Sequence, residues 1–119
     1  MEGARHTFSK AERLSGKLAL ARLLDGGRWG ATAHLKYCWK ASEEDLNRLL
    51  VSVPKKLFKR AVKRNLLKRR LRESYRLQKE LLTASGVDFM LVYNSSEVLP
   101  FDVLREEVAE ALGKISSKL

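Results

Sequence analysis

Apolar positions recur along this chain with two different periods, and the switches between them lay out its elements. Leu18, Leu20, Leu23 and Leu24 give one apolar side to a helix from about Lys17 to Asp25, and Gly26-Gly27 stop it. From Thr32 to Lys40 the period drops to two. Leu35, Tyr37 and Trp39 alternate with His34, Lys36, Cys38 and Lys40, which predicts a strand. Ser42 to Asp45 is polar and acidic and reads as a loop. Leu49 to Val53 is a short second strand, closed by Pro54. The helical period then returns: Leu67, Leu71, Ser74, Tyr75, Gln78 and Leu82 share one side of a long helix from about Lys59 to Thr83, with Gly86 just beyond it. Val87 to Tyr93 is nearly all apolar, as a central strand would be. Asn94 to Glu97 is a turn. A last helix runs from about Phe101 to Ile115, with Leu104, Val108, Leu112 and Ile115 inward. Near the start, Ser9 and Glu12 have the spacing of a capping box, and residues 1–6 read as a loose arm.

The order is helix, strand, strand, helix, strand, helix, and Gly30 offers a break that would make three strands before the long helix. This predicts α+β architecture: a single small domain over residues 1–119, with a split βαβ-type sheet of three to four strands packed with helices.

Charge changes the picture at one place. The stretch from Lys55 to Lys79 holds 12 of the 24 Lys and Arg residues and a single acid, Glu73, while the rest of the chain is close to neutral. On the long helix, Asn65, Lys68, Arg69, Arg72, Arg76 and Lys79 form a polar ladder away from the apolar side. A solvated face normally mixes signs to gain i,i+4 pairs; this one has almost no acid to pair with. Lys59, Arg60 and Lys63 crowd the helix start, where cations oppose the helix dipole. A phosphate at that end would reverse the cost. The net charge of +10 and pI near 10.1 point to a polyanion. Nucleic acid fits better than an anionic membrane, because the ladder lacks the Trp and Phe of an interfacial helix.

Catalytic chemistry is scarce. His6 and His34 are the only histidines, and no Cys/His set has zinc spacing. Ser52 and Ser85 lack an evident base. Glu43, Glu44 and Asp45 read as a solvated loop before a cation site. No phosphate-cradling glycine motif occurs. The lone Cys38 suits a reducing, cytoplasmic location, and no apolar run approaches the roughly 18 residues of a membrane span. Leu35, Tyr37 and Trp39 are either core or a platform for unpaired bases, with Tyr37 the first platform candidate. Trp29 is open to either role. RNA-binding proteins of structural or ribosomal type remain an alternative function. A DNA-binding regulator fits less well, because no short helix-turn-helix pair precedes the basic helix.

Arg64-Asn65-Leu66-Leu67-Lys68-Arg69-Arg70-Leu71-Arg72-Glu73 resembles the R-N-R-x-K-R-x-x-R-E helix of the bacterial ribonuclease P protein subunit. Upstream, Ser52-Val53-Pro54-Lys55-Lys56 is similar to that family's S-V-x-K-K strand end, and Ala61-Val62 to its A-V. The resemblance covers about residues 8–115. It implies a protein without an active site of its own that assists a catalytic RNA. The RNA, with magnesium ions, removes the 5′ leader of precursor tRNA. It also implies a left-handed βαβ crossover, against the general right-handed rule. By the resemblance, Arg64, Asn65, Lys68, Arg69 and Arg72 contact RNA, flanked by Lys55 and Lys56. Lys59, Arg60, Lys63 and Arg76 join them by charge and position. A cleft between the sheet and the first helix would hold the leader, with Leu20, Leu24, Tyr37 and Trp39 as its lining. The chain departs from the family pattern at Leu66, where Arg is usual. It departs again at Leu57-Phe58-Lys59-Arg60, which replaces a shorter turn with Gly, and at Leu20 and Leu24, where Phe is frequent.

Overall fold

A computed structural model describes residues 8–119. Three helices, α1 (Lys17–Leu24), α2 (Ala61–Arg76) and α3 (Phe101–Ser117), pack with four strands. The strands are β1 (Arg28–Ala31), β2 (Leu35–Ala41), β3 (Arg48–Ser52) and β4 (Val87–Tyr93). Their order in the sheet is β1-β2-β4-β3. β2 pairs antiparallel with β1 and β4, whereas β3 runs parallel to β4. A parallel pair needs a crossover, and α2 is that crossover. The expected arm at residues 1–6 lies outside the described residues.

Strand alternation divides the sheet into two faces. Leu35, Tyr37 and Trp39 of β2 and Val87, Phe89, Leu91 and Tyr93 of β4 meet α2 and α3 in the main core. From α2 come Leu67, Leu71 and Tyr75; from α3 come Leu104, Val108, Ala111, Leu112 and Ile115. Tyr75 stands edge-on to Phe89, centroids 5.3 Å apart. On the other face Cys38 and Met90 are buried beneath Leu14 and Leu23 of the α1 side. Lys40 Nζ donates to the carbonyls of Arg22 and Asp25, which ties the end of α1 to β2.

The expected strand from Thr32 begins instead at Leu35, and a separate strand precedes it. The break is a turn at residues 32–34, closed by Thr32 N–H donating to Leu35 O at 2.8 Å. Gly30, the expected break, lies inside β1 opposite Tyr37. A Cβ there would run into the Tyr37 ring, so the position needs glycine for close packing. The long helix is shorter than its sequence pattern at both ends. Before Ala61 the chain turns, with Leu57 N–H donating to Pro54 O. After Arg76 the backbone leaves the helix at Gln78 (φ −142°), whose side chain donates to Arg105 O of α3. Leu82 still reaches the core by way of a 3-10 turn at Lys79–Leu81. Gly86 is therefore no helix cap. Its φ of +79° serves the turn into β4, hard against the Glu44 carbonyl. The Ser9–Glu12 capping box forms around a 3-10 turn.

Candidate nucleic-acid interface

The apolar side of α2 is buried as its spacing requires: Leu67, Leu71, Ser74 and Tyr75 are each at most 1% exposed. The opposite side is thereby turned outward. No acid lies in the first turn, and Arg60, the residue before it, makes no side-chain cap. The first backbone N–H groups therefore meet solvent beside exposed Lys59, Arg60 and Lys63. Lys55 and Lys56 are exposed on the turn that leads in, Asn65 and Arg69 are exposed on the helix, and Lys68, Arg72 and Arg76 are half-buried.

The cations do not all do the same work. Arg64 falls near Leu71 around the helix, since seven residues at about 100° each bring the chain almost back to the same side. It is only half-buried there, and its Nη1 donates to the carbonyls of Phe58 (2.8 Å) and Lys59 (2.7 Å). It therefore fastens the turn before α2. Arg70 likewise donates to Leu99 O at 2.6 Å, ahead of α3. Lys79, placed on the ladder by its spacing, lies past the helix and binds the buried Glu12 at 2.8 Å. Burial pushes the Glu12 carboxyl up, but the bonds from Lys79 and Ser9 and the Lys79 charge together hold it below its ordinary value. Arg76 pairs with Glu73 through two bonds of 2.8 and 2.7 Å, which lower the Glu73 pKa.

Arg72 joins two grooves. One, of about 440 Å³, lies among Phe8, Arg13, Arg69, Arg72, Glu73 and Arg76. The other, of about 730 Å³, runs past Arg13, Leu14, Ser15, Gly16 and Leu50 toward the start of α1. Burial, together with the nearby Arg13 charge, lowers the Arg72 pKa. Like charges held this close favour an anion between them. Sequence reasoning missed Arg13 and Phe8. Arg13 reaches this site because residues 13 and 14 bridge to the β3 edge, with Leu14 N–H on Leu49 O. No local pattern signals that pairing.

The residues expected to line a leader cleft are not brought together. Leu20 packs on the α1 face of the sheet, and Leu24 is 44% exposed at the end of α1. Tyr37 and Trp39 are 6% and 7% exposed and belong to the opposite face, under α2 and α3. Alternation correctly grouped Tyr37 with Trp39, but their side is core. The β2 side chains that face α1 are Lys36, Cys38 and Lys40. Among the described residues no three His, Cys, Asp or Glu side chains gather where they could hold a metal ion. No described helix is long and apolar enough to cross a membrane.

A sequence model of the family described as Ribonuclease P matches residues 8–116. The chain belongs to the ribonuclease P protein family. It is 33% identical over 111 residues to the ribonuclease P protein component of Geobacter sp. (strain M21), covering 93% of this chain and 94% of that one. To the component from Porphyromonas gingivalis (strain W83) it is 32% identical over 123 residues, 94% and 88% of the two chains. The solved ribonuclease P protein of Staphylococcus aureus superposes with a TM-score of 0.76 at 26% identity, over 90% of this chain and 96% of that one. The Thermotoga maritima ribonuclease P protein shares the fold, with a TM-score of 0.77 at 23% identity over 87% and 96%. Within the ribonuclease P protein motif of this chain, the structure turns Asn65, Lys68, Arg69 and Arg72 toward solvent or groove and engages Arg64 with its own backbone. Leu66, which stands where the family pattern has Arg, is half-buried.

Proposed function

We propose that this chain works as the RNA-binding protein subunit of ribonuclease P. The outward side of α2 seats on the catalytic RNA, and the groove from Arg72 toward α1 receives the unpaired 5′ leader of precursor tRNA. The observation that carries this reading is the run of cations Lys55, Lys56, Lys59, Arg60, Lys63, Lys68, Arg69 and Arg72 beside uncapped helix N–H groups. Such a surface cancels phosphate repulsion and releases counterions when two RNAs are brought together. Asn65 adds hydrogen bonds to the same side. Arg76 shares its charge with Glu73 and contributes at the rim. Arg64 acts by holding the turn that presents Lys59 and Arg60.

The chemistry belongs to the RNA in this reading. Magnesium ions, held by RNA phosphates when bound, would supply the activation of the water that hydrolyses the phosphodiester. In this reading the protein's part is to position substrate and RNA. The work is done in the cytoplasm.

Adding the purified chain to the catalytic RNA at limiting magnesium should increase leader removal from precursor tRNA. Rigorously RNA-free protein should cleave nothing. Cleavage by the protein alone, or no effect on the RNA, would overturn the reading.

A further inference from the structure

One cavity lies away from both grooves at Arg72. It measures about 320 Å³ and sits where β1 and β2 meet the end of α3, lined in part by Arg28, Trp39, Ala41 and Lys118. Arg28 and Trp39 are register partners in the β1–β2 pair, so their side chains rise on the same face of the sheet. The Arg28 guanidinium carbon stands over the Trp39 ring, 5.5 Å from its centroid. Trp39 is 7% exposed, whereas Arg28 above it is exposed. Lys118, just past the end of α3, is exposed on the same cavity. Lys40 also borders it, but its ammonium is already taken by the carbonyls of Arg22 and Asp25. Arg28 and Lys118 form no ion pair among the described residues. Two unpaired cations, one of them laid on an indole, therefore frame a small cavity with Trp39 and Ala41 in its wall.

A guanidinium fixed over an indole keeps its outer side for a second flat group. Unpaired bases stack on guanidinium planes as they do on aromatic rings. The cavity is at the small end of ligand pockets and suits a single unit of that kind. A carboxylate would take either cation by its N–H edge and has no use for the ring beneath. We infer that this cavity binds one unpaired nucleotide of an RNA, its base on the Arg28 guanidinium and its phosphate at Lys118. The site is separate from the basic surface of α2. That surface begins at Lys55 and Lys56, beyond Ser52, which pairs with Val92; Trp39 and Ala41 pair with Phe89 and Val87. The two sites are thus about 10–17 Å apart along β4 alone. The nucleotide can come from the catalytic RNA or from precursor tRNA, since the chemistry is the same. Naming these two RNAs rests on the function proposed above.

The first test titrates the Trp29→Phe chain, in which Trp39 is the sole tryptophan. An unstructured oligouridylate should quench Trp39 emission. Arg28→Lys in the same background should abolish that change, because an ammonium keeps the charge and loses the plane. Quenching that survives Arg28→Lys, or no quenching at all, overturns the inference. So does equal quenching by oligoglutamate, which would make the cavity a carboxylate site for a protein partner. The second test uses holoenzyme reconstituted from the catalytic RNA with the unmutated chain, Arg28→Lys or Lys118→Ala. Each variant should melt as the unmutated chain does and should raise the Kd for RNA by about 5-fold or more. A loss in assembly with the catalytic RNA assigns the nucleotide to that RNA. A loss only in the binding of precursor tRNA assigns it to the substrate. An unchanged Kd in both measurements overturns the inference. Failure of the unmutated chain to assist leader removal would sink the proposed function. Quenching of Trp39, which needs no catalytic RNA, would leave the nucleotide site standing in that case.

Discussion

Leu71 and Arg72 are neighbours in sequence and lie about 100° apart on α2, so alanine at each should fail in a different way. Leu71 is fully buried between α2, the sheet and α3. Leu71→Ala removes three carbon atoms from contact, worth about 0.8 kcal/mol each in transfer alone. The cavity left in a core closed on all sides adds to this, so the total should be about 3–5 kcal/mol. For a chain of this size that is a large part of the usual 5–15 kcal/mol, and a fall in Tm of roughly 10–20 °C. Arg72 is half-buried at the groove and close to Arg13, and its lowered pKa reflects both. Removing its charge relieves that repulsion, so Arg72→Ala should alter stability by less than about 1 kcal/mol in either direction. It should weaken RNA binding by on the order of 1 kcal/mol or more, through loss of a charged contact to phosphate. A thermal melt and a binding isotherm on each variant decide the matter. If Arg72→Ala unfolds the chain while Leu71→Ala leaves it intact, the outward side of α2 has been misassigned.

Three further outcomes follow from the same geometry. With roughly five cations on phosphates, log K should fall with log salt at a slope of about −3.5 to −4.5, and Arg69→Ala should reduce that slope by about one unit; a flat dependence would mean α2 is not the binding surface. Arg64→Ala should cost about 1–2 kcal/mol of stability, since two carbonyls lose a charged donor at a half-buried site, whereas Arg69→Ala should cost next to none; equal melts for the two would detach Arg64 from the turn. Glu107 accepts from Thr32 Oγ1 (2.6 Å), His34 N–H (2.7 Å) and the His34 ring, and so docks the β1–β2 turn on α3. Burial raises its pKa, but those bonds and the His34 charge together hold it below the ordinary value. Its contribution is therefore complete at neutral pH and is lost as pH falls through the folded-state value. Glu107→Gln should flatten the acid limb of Tm against pH, and an unchanged limb would remove Glu107 from that dock.

The sequence by itself determined which side of α2 is core and which is charged. Helical period places Leu67, Leu71, Ser74 and Tyr75 together whatever they pack against, and no acid except Glu73 dilutes the other side. It also determined β4, a nearly all-apolar run, and the start of α3, where helical spacing and the turn residues before Phe101 leave little choice. Alternation in β2 separated Tyr37 from Lys36 correctly. It could not say which face would receive α2 and α3 and which would be crossed by α1. That depends on the sheet order β1-β2-β4-β3 and on a crossover between strands far apart in the chain. Tertiary structure therefore decided that Tyr37 and Trp39 are core and that Trp29 is open. It likewise sorted the cations, because whether a guanidinium faces RNA or a carbonyl depends on partners that the fold brings to it. Arg64 meets the Phe58 carbonyl, Arg70 meets Leu99, and Lys79 meets Glu12, 67 residues earlier. A period along one helix fixes direction; the partner waiting in that direction comes from the rest of the chain.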